Sequence, residues 1–361
     1  DNLERDGAIV IGRTNTPEFS MRGTTDNVIH GRTFNPWNDW ASPGGSSGGA
    51  SAAVMSGMGS LAHGNDIAGS LRIPSTATGA CTVKPGLGRV PAYNPSQTQE
   101  RGLIAQLMSV QGVIAREIKD VRLGMQSLIN YDPRDPWMVD MPFESKAIQS
   151  PIKIGFTKET LGESLHPAIN KAMDNAIEAL KDAGYILEEV ALPEFEDAAN
   201  FSAKTLFGEI KALHEKDYKN LGSENFNLVA DNYFEIISPF EGEDLLFGMA
   251  KRSYFFREWN LFFSKYPLVL TPFLLYPTYE WNRDTQGLEG TKEVLAGMFY
   301  AHTMNYMGIP AGVVSANYND GLPVGVQIIS SRFREDIILM ACEEIEKRVG
   351  IMAEKLFERD L

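Results

Sequence analysis

Two loops rich in glycine and serine contain the residue types that could do chemistry. The first covers residues 42–49 (Ser-Pro-Gly-Gly-Ser-Ser-Gly-Gly) and the second covers residues 63–70 (His-Gly-Asn-Asp-Ile-Ala-Gly-Ser). A serine hydroxyl is a useful nucleophile only when a neighbouring group takes its proton. Glycine lets the backbone approach a ligand closely. On composition alone the loops are compatible with serine catalysis and also with two ordinary turns.

Ser70 is the candidate nucleophile of the second loop, because residues 67–70 can present a run of backbone N–H groups beside its hydroxyl. Such preorganised donors stabilise the negative oxygen of a tetrahedral intermediate. Ser46 and Ser47 lie in the first loop, where few side chains obstruct approach. Either serine could therefore relay a proton to or from the Ser70 hydroxyl.

Helices and strands must position these loops, and the hydrophobic patterns predict where they lie. We expect strands at 8–12, 185–192, 311–317 and 324–330, and helices at 50–58, 120–130, 166–183 and 335–349. Strands that alternate with helices indicate an α/β sandwich around a central sheet. The chain shows no internal repeat or convincing linker, so we expect one domain over residues 1–361.

Aromatic residues are concentrated between about residues 200 and 283, where the secondary structure is hard to read. They are Phe255, Phe256, Trp259, Phe262, Phe263, Tyr276, Tyr279 and Trp281. The simpler interpretation places them in the core or at an interface. The alternative is that some of them line an apolar substrate pocket, as aromatic side chains commonly do.

Composition excludes several classes of function. The formal net charge of −14 and the lack of a basic stripe argue against a nucleic-acid-binding surface. No apolar run approaches the roughly 20 residues that span a bilayer. Cys81 and Cys342 are too few for a disulfide framework and fit a reducing compartment, so we expect a cytoplasmic protein. We find no pattern of metal ligands and no phosphate-binding loop, and we expect neither metal nor cofactor.

An ordered series of motifs closely resembles the amidase-signature family. The series covers residues 12–19 (Gly-Arg-Thr-Asn-Thr-Pro-Glu-Phe), 35–37 (Asn-Pro-Trp), 42–49, 65–74 (Asn-Asp-Ile-Ala-Gly-Ser-Leu-Arg-Ile-Pro) and 84–91 (Lys-Pro-Gly-Leu-Gly-Arg-Val-Pro), with weaker similarity at 308–311 and 321–327. The resemblance implies an α/β/α sandwich around a central mixed β-sheet. It places the signature core at about 7–130 and the substrate side at about 195–300.

The resemblance also implies a triad of two serines and a lysine. Ser70 aligns with the nucleophile and Ser46 with the bridging serine, which in this family follows a cis peptide bond, here Gly45–Ser46. The remaining assignments are an oxyanion hole, a supporting hydroxyl and a structural ion pair. The resemblance places the oxyanion hole on the amides of Ile67, Ala68, Gly69 and Ser70. It places the supporting hydroxyl on Ser47 and the structural ion pair on Asp66 and Arg72.

The sequence departs from the family pattern at several positions. Asn65, Ala68 and Arg13 replace the residues usual there, and Ala68 fits only if its φ is negative. The main departure is the catalytic lysine, which the family pattern places before residue 1. We therefore expect the general base to lie in an N-terminal segment of about a hundred residues outside the printed sequence. Lys84 is the lysine nearest the motifs, but its context matches a structural family position rather than the base.

Other functions are also open at this point. Residues 45–49 fit a Gly-x-Ser-x-Gly nucleophile elbow with Ser47 at its centre, but no apolar strand precedes them and His63, His166, His214 and His302 have no triad-like setting. A second alternative is the glutamine-hydrolysing subunit of a tRNA-dependent amidotransferase, and a third is an inactive scaffold. We expect an amidase that cleaves a small, fairly apolar amide through a Ser70 acyl-enzyme, and we expect a homodimer.

Overall fold

A computed structural model describes residues 1–145 and 147–359 of the chain. The α-helices are α1 (Asn2–Arg5), α2 (Gly48–Met55), α3 (Arg72–Thr78), α4 (Leu103–Met108), α5 (Ile118–Leu128), α6 (Pro167–Asp182), α7 (Phe195–Leu221), α8 (Glu224–Ile237), α9 (Gly242–Lys265), α10 (Gly287–Ala296), α11 (Phe299–Met307), α12 (Glu335–Val349) and α13 (Met352–Arg359). The strands are β1 (Asp26–Asn27), β2 (Gly31–Arg32), β3 (Leu61–Asp66), β4 (Cys81–Lys84), β5 (Val110–Ala115), β6 (Lys153–Phe156), β7 (Ile186–Glu189), β8 (Leu268–Pro272), β9 (Ala311–Asn319) and β10 (Leu322–Ser330).

Eight of the strands form one mixed sheet in the order β3-β5-β4-β9-β10-β8-β6-β7. Strand β6 pairs in parallel with β7 and β8, and the other pairs are antiparallel. Helices cover both faces of this sheet, with α5, α6 and α12 on one side and α2, α3 and α11 on the other. The predicted α/β/α sandwich around a mixed sheet is confirmed.

Alternation along the central strands explains how two cores form. Leu268 and Leu270 pack into the cluster that contains α5, α6 and α12, whereas Val269 between them packs into the cluster with α7, α9 and α11. Successive side chains of a strand point to opposite faces, so a strand buried on both sides is apolar throughout. The sheet therefore separates the layer of α5, α6 and α12 from the helical layer next to the serine loops.

Most of the predicted helices and strands are present with small shifts at their ends. Helix α6 begins after His166, whose ring Nδ1 accepts the backbone N–H of Ala168 at 3.2 Å and so caps the helix. The predicted strand pair near the C-terminus is β9 and β10, joined at Asp320 and Gly321, which both have positive φ. The predicted helix at 335–349 is α12.

Two local predictions are wrong. Residues 8–12 form no regular structure, and Ile9 and Ile11 are 86% and 76% exposed. This segment makes no ladder hydrogen bonds with the described residues. A buried strand needs a partner strand for its backbone N–H and C=O groups, and an apolar run alone does not supply one. The second loop is also shorter than expected, because His63 to Asp66 pair with β5 as part of β3.

The aromatic residues between 255 and 281 belong to the core and surface rather than to a pocket. Phe255, Trp259 and Phe263 of α9 are buried in the second cluster. The simpler interpretation of this segment is therefore confirmed.

In the part of the chain that the structure describes, no helix is both long and apolar enough to cross a membrane.

Candidate active site

The first serine loop follows a path that its glycines make possible. The Gly45–Ser46 peptide bond is cis, as the resemblance implies. A Cβ on Gly45 would lie 2.2 Å from the carbonyl oxygen of Arg22, and one on Gly49 would lie 2.4 Å from the carbonyl oxygen of Asn15. The loop is therefore packed backbone to backbone, which explains why glycines occupy these positions.

The second serine loop connects β3 to α3 and lies directly against the first. The backbone N–H of Ser47 donates to the carbonyl oxygen of Ser70 at 3.2 Å. The Ser47 hydroxyl points towards β3 and donates a long hydrogen bond of 3.5 Å to the carbonyl of Asn65. The structure thus brings together the two loops that the sequence separates by 24 residues.

Asp66 and Arg72 form a buried ion pair that stabilises the second loop. The guanidinium Nε and one Nη of Arg72 lie 3.0 and 3.1 Å from the two carboxylate oxygens of Asp66, and both side chains are fully buried. Burial acts to raise the pKa of Asp66, but the charge and hydrogen bonds of Arg72 outweigh it and hold the pKa below its ordinary value. Arg72 also binds the side chains of Gln327 and Asn305, so the loop is tied to β10 and α11.

The backbone amides of residues 67–70 are not equivalent. The Gly69 N–H donates to an Asp66 carboxylate oxygen at 2.7 Å, so it is already occupied. The N–H groups of Ile67, Ala68 and Ser70 donate to no other described residue. Ala68 is not among the residues with positive φ, as its replacement of glycine requires. Of the four amides predicted to form an oxyanion hole, three therefore make no hydrogen bond to the described residues and are free to donate to a ligand.

The two candidate catalytic serines are both nearly buried. Ser70 and Ser46 are 8% and 6% exposed, and neither hydroxyl hydrogen-bonds to another described residue. Lys84 is fully buried, and its Nζ donates to the carbonyl of Pro85 at 2.8 Å instead of to a serine. Burial, together with the charge of Arg72, lowers the pKa of Lys84 to about 7. Lys84 therefore lies close to the buried charges of Arg72 and Asp66 and makes no hydrogen bond to Ser46 or Ser70.

A cavity of about 440 Å³ opens above the second loop and is lined by Ser70 and Gly45. Its size falls in the range of small-molecule sites. Most of the wall comes from residues 203–302, and its surface is largely apolar. The apolar wall includes Ile67, Ile73, Leu206, Ile236, Leu295 and Phe299. An uncharged organic group could be enclosed here beside the serine hydroxyl.

Charged side chains at the cavity are paired or lie near its mouth. Arg22 is buried, and its guanidinium binds both carboxylate oxygens of Asp284 at 2.7 and 2.9 Å. Glu163 and Lys292 are exposed, and Lys292 donates to Glu289 at 2.9 Å. The inner part of the cavity therefore has little fixed charge.

Sequence reasoning found no role for His302 and did not detect the pair of Arg22 and Asp284, although His302 and Arg22 lie on the cavity wall. His302 of α11 lines the cavity and is hydrogen-bonded through Nδ1 to Ser202 Oγ of α7. The ion pair between Arg22 and Asp284 joins residue 22, whose carbonyl packs against Gly45, to the segment just before α10. Each pair spans 100 residues or more, and no local pattern in the sequence links such distant partners.

Comparisons with known proteins identify the family of the chain. The family model described as Amidase matches residues 1–339. An indoleacetamide hydrolase from Bradyrhizobium japonicum is 40% identical over 358 residues, which cover 99% of this chain and 77% of the relative. A glutamyl-tRNA(Gln) amidotransferase subunit from Methanosarcina acetivorans is 28% identical, with 94% of this chain and 75% of that relative covered.

A solved structure gives the same result. A bacterial aryl acylamidase of the amidase-signature enzymes superposes with a TM-score of 0.78 at 25% identity, and 98% of this chain and 76% of that chain are covered. The family match extends over nearly the whole chain, and a relative named for amide hydrolysis shares two residues in five with it. The chain belongs to the amidase family and is a hydrolase of carbon–nitrogen amide bonds.

Proposed function

We propose that this protein hydrolyses a small amide with an apolar acyl group, with Ser70 as the nucleophile. The observation that carries the proposal is the apolar cavity, which is lined by Ser70 next to the free amides of Ile67 and Ala68. A serine beside preorganised N–H donors is the arrangement that acyl transfer requires. A largely apolar wall stabilises an uncharged acyl group by removing it from water.

The proposed reaction has two steps. Ser70 Oγ attacks the amide carbonyl carbon while its proton passes to Ser46, and the N–H groups of Ile67, Ala68 and Ser70 stabilise the oxyanion. The carbon–nitrogen bond then breaks, and Ser46 gives a proton to the leaving amine. Water adds to the resulting ester and releases the carboxylic acid and free Ser70. The base that takes the proton from Ser46 stays a prediction, because Lys84 donates to a carbonyl group instead.

The substrate we favour is a primary amide whose acyl group carries an aromatic ring. The cavity volume is ample for a bicyclic ring, and the relative at 40% identity is an indoleacetamide hydrolase. Phe299 and Leu206 give the ring apolar contacts on the inner wall. We therefore place indole-3-acetamide and phenylacetamide first among the compounds to be tested.

A glutamine-hydrolysing subunit is the second candidate, supported by the relative at 28% identity. Glutamine carries an ammonium and a carboxylate, and both must be matched by polar groups when they leave water. Arg22 is neutralised by Asp284, while Glu163 and Lys292 are exposed near the entrance. The cavity therefore favours an uncharged acyl group over glutamine.

One experiment separates these functions from an inactive scaffold. The protein is treated with a fluorophosphonate, the adduct is located by peptide mass spectrometry, and release of ammonia is measured with indole-3-acetamide, phenylacetamide and glutamine. An adduct on Ser70 with hydrolysis of the aryl amides is expected. Hydrolysis of glutamine alone would favour the glutamine-hydrolysing role, and no adduct with no hydrolysis would favour the scaffold.

We also propose a cytoplasmic location, supported by the two cysteines. Cys81 and Cys342 are both buried free thiols. A homodimer stays a prediction, which the molar mass in solution would test.

A further inference from the structure

One histidine, His302, lies among the apolar residues of the cavity wall. His302 lies on α11, next to Ala301, whose Cβ is 2.8 Å from the position that a Cβ on Gly69 would occupy. The histidine is therefore close to the loop that carries Ser70. Leu206 and Phe299 are among its apolar neighbours in the cavity lining. A polar group so placed faces whatever acyl group fills the cavity.

The protonation of His302 follows from its surroundings. Burial, with a smaller contribution from the positive charge of Arg72, lowers the pKa of His302 to about 3. The ring is therefore neutral at pH 7, with one nitrogen that donates and one that accepts. The position of its hydrogen decides what the cavity offers to a ligand.

Ser202 determines which ring nitrogen carries the hydrogen. Its side chain is fully buried, and its hydroxyl makes one hydrogen bond among the described residues, to Nδ1 of His302. A buried hydroxyl that donates to nothing costs free energy, so the Ser202 O–H donates and Nδ1 accepts. The hydrogen of the neutral ring then resides on Nε2. Nε2 hydrogen-bonds to no described residue, and it is not one of the fully buried polar atoms that lack a partner, so it is accessible. Because His302 lines the cavity, this nitrogen faces the cavity.

We propose that His302 is a specificity-determining residue whose Nε2–H donates a hydrogen bond to an acceptor atom on the acyl group of the substrate. The proposal rests on the proposed function, because it assumes that the acyl group occupies this cavity. Suitable acceptors are a ring nitrogen, an ether oxygen or a hydroxyl oxygen on an otherwise apolar ring. A ring N–H group, such as that of indole, meets a donor here and gains nothing from it.

The test compares substrates that differ in one atom. The value of kcat/KM is measured for phenylacetamide and for the three pyridylacetamides, in which one ring CH becomes an acceptor nitrogen. We expect at least one pyridyl isomer to exceed phenylacetamide by about tenfold, the factor for one ordinary hydrogen bond. The preference should appear mainly in KM, because the bond is present in both ground state and transition state.

Variants show whether His302 causes this preference. In the His302→Leu/Ser202→Ala double variant both polar partners are removed, which avoids a buried unpaired hydroxyl, and the pyridyl-to-phenyl ratio should fall to about one. The His302→Gln variant retains a side-chain N–H and should recover part of the ratio. His214→Leu is the matched control, because this histidine of α7 is exposed and outside the cavity lining. Its ratio should equal that of the wild type.

The possible failures are distinguishable. Hydrolysis of all four amides with equal kcat/KM would overturn the role of His302 and leave the proposed function intact. A preference for indole-3-acetamide over 1-naphthaleneacetamide that disappears in the double variant would show that Nε2 accepts instead of donating, and would also overturn the inference. Failure to hydrolyse any aryl amide would overturn the proposed function and this inference together.

Discussion

The backbone N–H of Gly69 donates a 2.7 Å hydrogen bond to the carboxylate of Asp66. The same carboxylate accepts the N–H of Leu71 at 3.1 Å and is paired with Arg72. Asp66 therefore holds the amides on both sides of Ser70, whereas the Ile67 and Ala68 amides donate to none of the residues that the structure describes. The negative charge that shapes the loop is separate from the donors that would hold an oxyanion.

Replacing Asp66 by asparagine should damage both stability and activity. The three groups around this carboxylate, Gly69 N–H, Leu71 N–H and the Arg72 guanidinium, are all hydrogen-bond donors. An asparagine side chain offers them one acceptor oxygen, and its NH₂ group, itself a donor, is repelled by the donors that face it. We expect a loss of about 3–5 kcal/mol in the free energy of unfolding, as for other buried pairs that lose one charge. Urea unfolding and kcat with phenylacetamide measure the two effects.

The matched control is Glu335→Gln, which breaks a second fully buried pair, between Glu335 and Arg89 at 2.9 Å. It should lower stability by a similar amount while kcat of the remaining folded protein changes much less. If both variants reduced kcat equally, the special role of Asp66 in positioning the serine loop would be wrong.

The two serines should differ in what their removal costs. Ser70→Ala should abolish fluorophosphonate labelling, because the attacking oxygen is gone. Ser46→Ala should leave Ser70 in place but slow its labelling by about 10²–10⁴-fold, the usual contribution of acid–base catalysis. Ser47→Ala removes only a hydroxyl with a long 3.5 Å contact and should have the smallest effect. Equal rates for Ser46→Ala and the wild type would exclude Ser46 as the proton relay.

The close approach at Gly45 gives a steric prediction. An added Cβ would lie 2.2 Å from a backbone oxygen, so Gly45→Ala must displace the loop or residue 22. We expect a loss of about 1–3 kcal/mol, typical of overpacking, and a fall in kcat because Ser46 moves with the loop. Gly12→Ala is the control, since nothing lies within 4 Å of a Cβ at that position. A Gly45→Ala enzyme with normal kcat would contradict the packing described above.

The half-buried carboxyl of Glu346 should make stability depend on pH. Burial raises the pKa of Glu346 from its ordinary 4.5 to about 7, in spite of hydrogen bonds from Ile118 N–H and the Cys81 thiol. A raised pKa stabilises the folded state fully below pH 4.5, and this contribution is lost as the pH rises through 7.

The variant Glu346→Gln isolates this effect, because its side chain does not titrate. Between pH 4.5 and 7, its free energy of unfolding should rise relative to that of the wild type, with a slope below about 1.4 kcal/mol per pH unit, the limit for one proton. Thermal or urea unfolding at several pH values measures the difference. A difference independent of pH would show that the pKa of Glu346 is the same in the folded and the unfolded protein.

Local patterns predicted the elements that are amphipathic over many residues. Helix α6 buries Ile169, Met173 and Leu180 on one face, as its spacing indicates, and α12 has the predicted ends. The apolar run at 8–12 carried no such periodic signal, and its exposure depends on which backbone lies beside it. A short apolar run predicts burial only when a partner strand is also known.

The candidate site was predictable where chemistry and geometry are local. Ser70, Ser46 and the pair of Asp66 with Arg72 lie within 27 residues of one another, and the motifs specify their order. The use of the Gly69 amide by Asp66 depends on the exact turn, which the motif does not encode. The pairing of His302 with Ser202 depends on how α7 packs against α11, and this follows from the whole fold.

Arg72 has a consequence for the order in which the molecule gains activity during folding. Its guanidinium hydrogen-bonds to Asp66 six residues away, but also to Asn305 and Gln327, which are 233 and 255 residues away. Contacts of such high sequence separation form slowly because a long loop must first close. The loop that carries Ser70 is therefore completed only after Arg72 has met Asn305 and Gln327, and catalytic competence should appear among the last events of folding.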